Sequence, residues 1–145
     1  MSMVETVESN EAPERESYYT ILPEAIEATG RSLNVVLGDR LCEAALVKLK
    51  EPGAWRTMSY KELSKLLRDN CANQDGYLSP QQPVLETAFR LLLTTPGGKL
   101  SLNEVHQRIA ELWMTSPWPR HINADSLKRV LDNGVSYGIV TVDEG

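Results

Sequence analysis

Few side chains in this sequence are of a type that could do chemistry. Two cysteines, Cys42 and Cys71, and two histidines, His106 and His121, are the complete set of thiol and imidazole groups. No two of them stand at knuckle spacing, whereas closed zinc sites draw on closely paired ligands. A metal centre is therefore not expected. The cysteines read as two reduced, partly buried thiols of a cytosolic protein. No serine is placed between a strand and a helix in a nucleophile elbow of the G-x-S-x-G kind. Gly97-Gly98 is a turn signal and not part of a phosphate-cradling glycine loop. No catalytic constellation follows from these residues, so the expectation is a protein that is not an enzyme and carries no cofactor.

What remains is a small set of cations near the C-terminus. Arg120, His121, Lys128 and Arg129 fall at the start and along the outer face of a helix-forming stretch. Cations there could contact phosphates, with Ser126 and Asn133 as hydrogen-bonding neighbours and Lys99 on the preceding strand. Two tryptophans could act as anchors. Trp118 lies between Pro117 and Pro119 in a polar loop, and Trp55 lies in the turn after Gly53. Each either stacks on a base or fills a partner's pocket, or else folds back over the core. Trp113 continues an apolar helical face and reads as core.

The elements that would position these residues are marked by capping signals. Ser101 followed by Glu104 is a capping box, with Leu100 and Val105 as its hydrophobic staple. Val105, Ile109 and Leu112 or Trp113 then recur at helical spacing. Asn123 is a good N-cap for a helix over 123–137, with Ile122 and Leu127 as staple and Asp125 favouring the dipole. Leu127, Val130, Leu131 and Val135 form its apolar stripe. Gly134 would be an interior glycine, and Gly138 fits the left-handed position that ends a helix. The β-branched run 139–142 reads as a strand that pairs with Lys99-Leu100. The expected fold class is mainly α, with tandem helix-turn-helix, winged-helix-like units and a minor two-stranded β element.

The tandem organisation rests on an internal repeat. Cys42, Ala45, Leu46 and Leu49 form an apolar stripe, followed by Pro52-Gly53 and a capped start at Ser59 and Glu62. Leu85, Ala88, Phe89 and Leu92 repeat the stripe, followed by Pro96-Gly97 and the capped start at Ser101. Residues 70–82 form the loop between the copies, with Asp75-Gly76 as a turn signal. Upstream, 23–29 suits a short helix with Pro23 in its first turn and Gly30 at its end. Residues 32–37 fit strand or helix. The expected organisation is an acidic disordered tail over 1–17, an N-terminal helical unit over 18–78 and a C-terminal winged-helix-like unit over 79–145.

Charge is unevenly spread. The net charge of -5 arises wholly in the first 31 residues, which hold seven acids and two bases; the remaining 114 residues carry 13 of each. A neutral body lacks the basic excess usual in nucleic-acid binders, and the acidic tail suits a basic partner. No apolar run is long enough to span a membrane, and the acidic N-terminal stretch has no signal-peptide core. These features point to a cytoplasmic protein without a membrane partner.

Residues 85–142 resemble the winged-helix domains of the helix-turn-helix group. The matching features are the helix at 85–93, the strand at Lys99-Leu100, the helix at 101–114, the helix at 123–137 and the Gly138-Ile139-Val140 ending. The resemblance implies that the third helix enters a DNA major groove and exposes Ser126, Lys128, Arg129 and Asn133, with Arg120 and His121 at its start. The link over 115–122 is longer than the family's usual turn, and Asp125 and Asp132 lie on the same helix. Two roles follow. The first is a non-catalytic protein that contacts DNA or RNA, as a regulator or as a small subunit of a nucleoprotein assembly. The second is a protein–protein adaptor that uses Trp118, Trp55 and the open strand edge at 139–142, within a larger complex or a homodimer.

Overall fold

The computed structural model describes residues 17–142. The acidic tail expected over 1–17 lies outside the described residues except for Ser17, whose carbonyl accepts the Leu102 amide at 2.8 Å. The described chain is mainly helical. It holds seven α-helices and a small antiparallel sheet of three strands.

Strand β1 (Tyr18–Ile21) leads into α1 (Pro23–Glu27), which begins with a proline whose missing N–H costs nothing there. Helix α2 (Leu33–Gly38) settles the ambiguous segment as helix, since the Ser32 side chain caps it by accepting from the Val35 amide. Helix α3 (Glu43–Leu46) follows without a side-chain cap. The apolar stripe expected to run from Cys42 to Leu49 is cut short here, and Leu46 is 44% exposed. A single 3-10 turn (Ala54–Thr57) then leads to α4 (Tyr60–Asn70).

Helices α5 (Val84–Thr94), α6 (Leu102–Trp113) and α7 (Ala124–Asp132) form the second half. Both expected capping boxes close. Ser59 with Glu62 opens α4, and Ser101 with Glu104 opens α6. Helix α5 is buried nearly all round from Thr87 to Thr94, not along one stripe. A helix apolar on every face belongs at the centre of a core, and α5 packs on α4, α6, α7 and β1. The edge of the Phe89 ring meets Tyr137 at 5.2 Å between centroids, a favoured aromatic geometry.

Two expectations are corrected. The sheet is not two-stranded. Strands β2 (Lys99–Ser101) and β3 (Ile139–Val142) do not pair with each other, because β1 lies between them in the order β2-β1-β3. Tyr19 faces Leu100 on one side and Thr141 on the other. The helix expected over 123–137 ends at Asp132 and is followed by a 3-10 turn (Val135–Tyr137). Gly134 therefore sits between the two and not inside a helix. Gly138 is left-handed, with φ at 76°, as its position required. One hydrophobic cluster runs through both halves, from Tyr19, Ile26 and Leu37 through Leu63 and Phe89 to Leu127 and Ile139.

Candidate functional site

Helix α7 carries most of the cations singled out in the sequence. Asn123 caps it by accepting from the Ser126 amide at 2.8 Å, and Leu127 and Leu131 turn inward. That orientation leaves Ser126, Lys128, Arg129 and Asn133 on the outer side. Lys128 is already paired, its ammonium 2.8 Å from Asp132. Asp132 also accepts from the Tyr19 hydroxyl at 3.0 Å, which ties the helix to the central strand. Burial first, and then this carboxylate, hold the Tyr19 phenol far above its ordinary pKa. Arg129 donates to Ser126 Oγ at 3.2 Å, and Asn133 donates to the Arg129 carbonyl at 2.7 Å. Ser126, Arg129 and Asn133 do come together. With Leu85 and Val130 they line an open depression of about 550 Å³.

The other predicted residues scatter. Arg120 is exposed but tied down by local contacts. Its guanidinium donates to the Pro80 and Gln82 carbonyls, both at 2.9 Å, and lies 4.1 Å from the centre of the Trp113 ring. It braces the long 115–122 link against the loop before α5. His121 is exposed in that link. Lys99 stands on the edge strand remote from β3, its ammonium 5.5 Å from the Tyr18 ring centre.

Of the tryptophans, Trp113 is buried and Trp118 is 83% exposed. Trp55 is half-buried and packs flat on α2. A Cβ at Gly38 would lie only 2.5 Å from its ring, so glycine makes room for the indole. Asn34 fixes the backbone beneath by donating to the Trp55 and Met58 carbonyls at 2.8 and 2.7 Å.

Beside α7 runs a second groove, of about 490 Å³, between the helix and β3. Lys128, Leu131, Asp132, Val135, Ile139, Val140 and Thr141 line it. Among the described residues β3 has a strand neighbour on one side only. The Leu22 amide donates to the Gly138 carbonyl at 2.7 Å, and Thr20 faces Val140 in the register. Antiparallel pairing alternates, so Gly138 and Val140 turn their backbone groups toward β1 while Thr141 turns its own outward.

The sequence view missed three arrangements. Cys42 and Cys71 are adjacent in space: the Cys42 amide donates to Cys71 Sγ at 3.2 Å, and the Cys42 thiol donates to the Asn70 carbonyl at 3.3 Å. Burial, with the neighbouring Cys42, pushes the Cys71 thiol up to about 12, so it stays a thiol. His106 does not meet the cysteines; its Nε2 is 2.7 Å from the Ile122 carbonyl and pins the start of α7. Among the described residues, no three His, Cys, Asp or Glu side chains gather as metal ligands would. Finally, the string Gly134-Val135-Ser136-Tyr137-Gly138 does spell G-x-S-x-G, which the sequence reading passed over. It runs from helix to strand, the reverse of a nucleophile elbow, and the Ser136 carbonyl accepts from Arg31.

No protein family, characterised protein or solved structure matches this chain.

Proposed function

We propose that this chain is a non-catalytic protein–protein interaction module, an adaptor or structural subunit, that docks an extended partner segment along β3. The carrying observation is the free edge of β3 beside the open groove under α7. A strand added there gains main-chain hydrogen bonds from the outward Thr141 backbone, and the groove offers Val135 and the partly exposed Val140 to its side chains. Val135, 57% exposed, and Trp118 supply apolar anchors that a lone monomer gains nothing by exposing.

The finer fold reading is that the chain holds two related helix-turn-helix units, the second winged-helix-like. The two capping boxes support it. Each opens a long helix, α4 or α6, after a turn that contains a left-handed glycine, Gly53 or Gly97.

The test removes the outward N–H without touching the β1 pairing. Thr141→Pro and Trp118→Ala are compared with the unaltered protein in a quantitative pull-down, with circular dichroism as the folding check. Thr141→Pro is expected to abolish capture of a specific partner, and Trp118→Ala to weaken it. Equal capture by all three would sink the edge-docking reading.

Nucleic-acid contact is the second reading, and the observation that favours it is the grouping of Arg129, Ser126 and Asn133 on one outward surface. With Lys128 paired and Arg120 bonded internally, the contact would rest on Arg129 and His121. Fluorescence anisotropy with duplex DNA, single-stranded DNA and RNA decides it. Binding through those two cations has a salt slope of about two charges.

A further inference from the structure

A further group of cations lies on α4, away from the α7 region. Lys61, Lys65 and Arg68 recur at helical spacing and stand at the lip of a cavity of about 390 Å³. The cavity lies between α4 and the end of α5. Tyr60, Leu92 and Leu93 give it an apolar interior, and the Thr95–Gly98 turn closes one end. Gly97 and Gly98 both have positive φ and no side chain, so this wall stays open; a Cβ at Gly97 would meet nothing within 4 Å. One polar atom is enclosed with the apolar surface. Ser64 Oγ is buried beside the Tyr60 phenol and makes no hydrogen bond of normal geometry. Two acids share the helix. Lys65 already pairs Asp69 and holds its carboxyl below the usual range, and the Glu62 carboxylate accepts from the Ser59 amide at the helix start.

An apolar cleft of this volume with a few convergent polar groups has the make-up of a small-molecule site. We infer that it binds a monocarboxylate with an aliphatic body. The chain would lie along the cleft between α4 and the end of α5, and the carboxylate would sit at the lip, where Lys61 and Arg68 supply the charge. With Lys65 taken by Asp69 and Glu62 turned to the Ser59 amide, Lys61 and Arg68 at the lip select an anion. The apolar interior selects an acyl body over a bare inorganic ion. At about 30 Å³ for each water-sized group, the cavity holds roughly a dozen heavy atoms, the size of a ten-carbon acid.

Decanoate and decanol, each below its self-association limit, serve as probes in calorimetry and in amide chemical-shift mapping of the full chain. Decanoate is expected to bind one-to-one and at least about tenfold more tightly than decanol. Its shifts should centre on residues 60–68 and 92–98. Lys61→Gln with Arg68→Gln removes the charges at the lip without touching the buried core, and should erase most of that preference. Ser64→Met fills the cavity from the α4 side and should abolish binding of both probes, with helical content unchanged. Absence of binding, equal affinity for the alcohol, or shifts that map elsewhere would each overturn the assignment. So would indifference to both variants.

Discussion

At the scale of single residues, the most consequential group is Glu86, whose bonding network reaches other segments of the chain. It sits in α5 and joins three segments. Arg40 donates to it through Nε at 3.1 Å and Nη2 at 2.8 Å, and Arg90 donates through Nε at 2.8 Å. Arg90 in turn donates to the Tyr77 carbonyl at 2.9 Å and so holds the loop before α5. The three charged side chains are only 15–21% exposed, so solvent screens them weakly. Burial by itself raises the Glu86 pKa; the hydrogen bonds and charges of the two arginines outweigh it and leave the carboxyl below its ordinary value. A carboxyl depressed in the folded state binds fewer protons there than in the unfolded chain. Its contribution is therefore complete above the unfolded carboxylate pKa and is lost as pH falls through the folded one. Glu86→Gln is expected to cost about 2 kcal/mol in urea unfolding at pH 7, because it leaves two half-buried guanidinium groups facing a neutral amide. The gap should shrink as the pH falls below the ordinary carboxylate range, first as the unfolded chain takes up its proton and then as the native carboxyl does. A gap of the same size at both pH values would assign the effect to packing and not to charge.

At the scale of elements, the sequence was legible where the signal is local and illegible where partners are distant. The Ser59, Ser101 and Asn123 caps bond to amides three residues away, so their spacing alone placed the starts of α4, α6 and α7. The Lys99-Leu100 pairing failed for the opposite reason. Nothing local to residues 99–142 could show that Tyr18–Ile21 comes back to lie between the two strands. The anchoring of Arg120 was illegible for the same reason, since its carbonyl acceptors lie 38 and 40 residues upstream. Gly138 shows both kinds of information at one position. Its left-handed geometry was legible as the end of a helical stretch, but its tight packing was not. A Cβ there would fall 2.6 Å from Ile26 Cγ1 and 3.0 Å from the Leu22 carbonyl oxygen. Gly97 is left-handed too, at φ 84°, with nothing in the way. Replacing each with alanine separates the two costs. Gly97→Ala should lose about 1 kcal/mol, the penalty for a left-handed residue with a Cβ. Gly138→Ala should lose about 2 kcal/mol more, because α1 and the β1–β3 pairing must both shift. Equal losses in thermal or urea unfolding would show that α1 moves aside freely.

At the scale of the whole molecule, the question is whether the two repeat-like halves behave as separate folding units. The sequence favoured a boundary near residue 78, because each half carries its own apolar stripe and capped helix. The packing argues for one unit. Helix α5 belongs to the second half but contacts α4 of the first, and β1 from the first half is the middle strand of the sheet whose edges come from the second. Tyr19, fully buried, carries the Asp132 contact across the same boundary. If the second half unfolded alone, it would strip both neighbours from β1 and expose one face of the shared core. That intermediate keeps few contacts for the entropy it retains, so it should not accumulate. The tryptophans make this measurable, since Trp55 lies in the first half and Trp113 and Trp118 in the second. A Trp55→Phe variant reports only on the second half, and a variant with both Trp113→Phe and Trp118→Phe reports only on the first. After correction for each variant's own stability by circular dichroism, fluorescence and dichroism midpoints in urea should coincide in both proteins. A second-half midpoint clearly below the first-half one would mean that β1 holds its place without its partners, and the halves would then be independent after all.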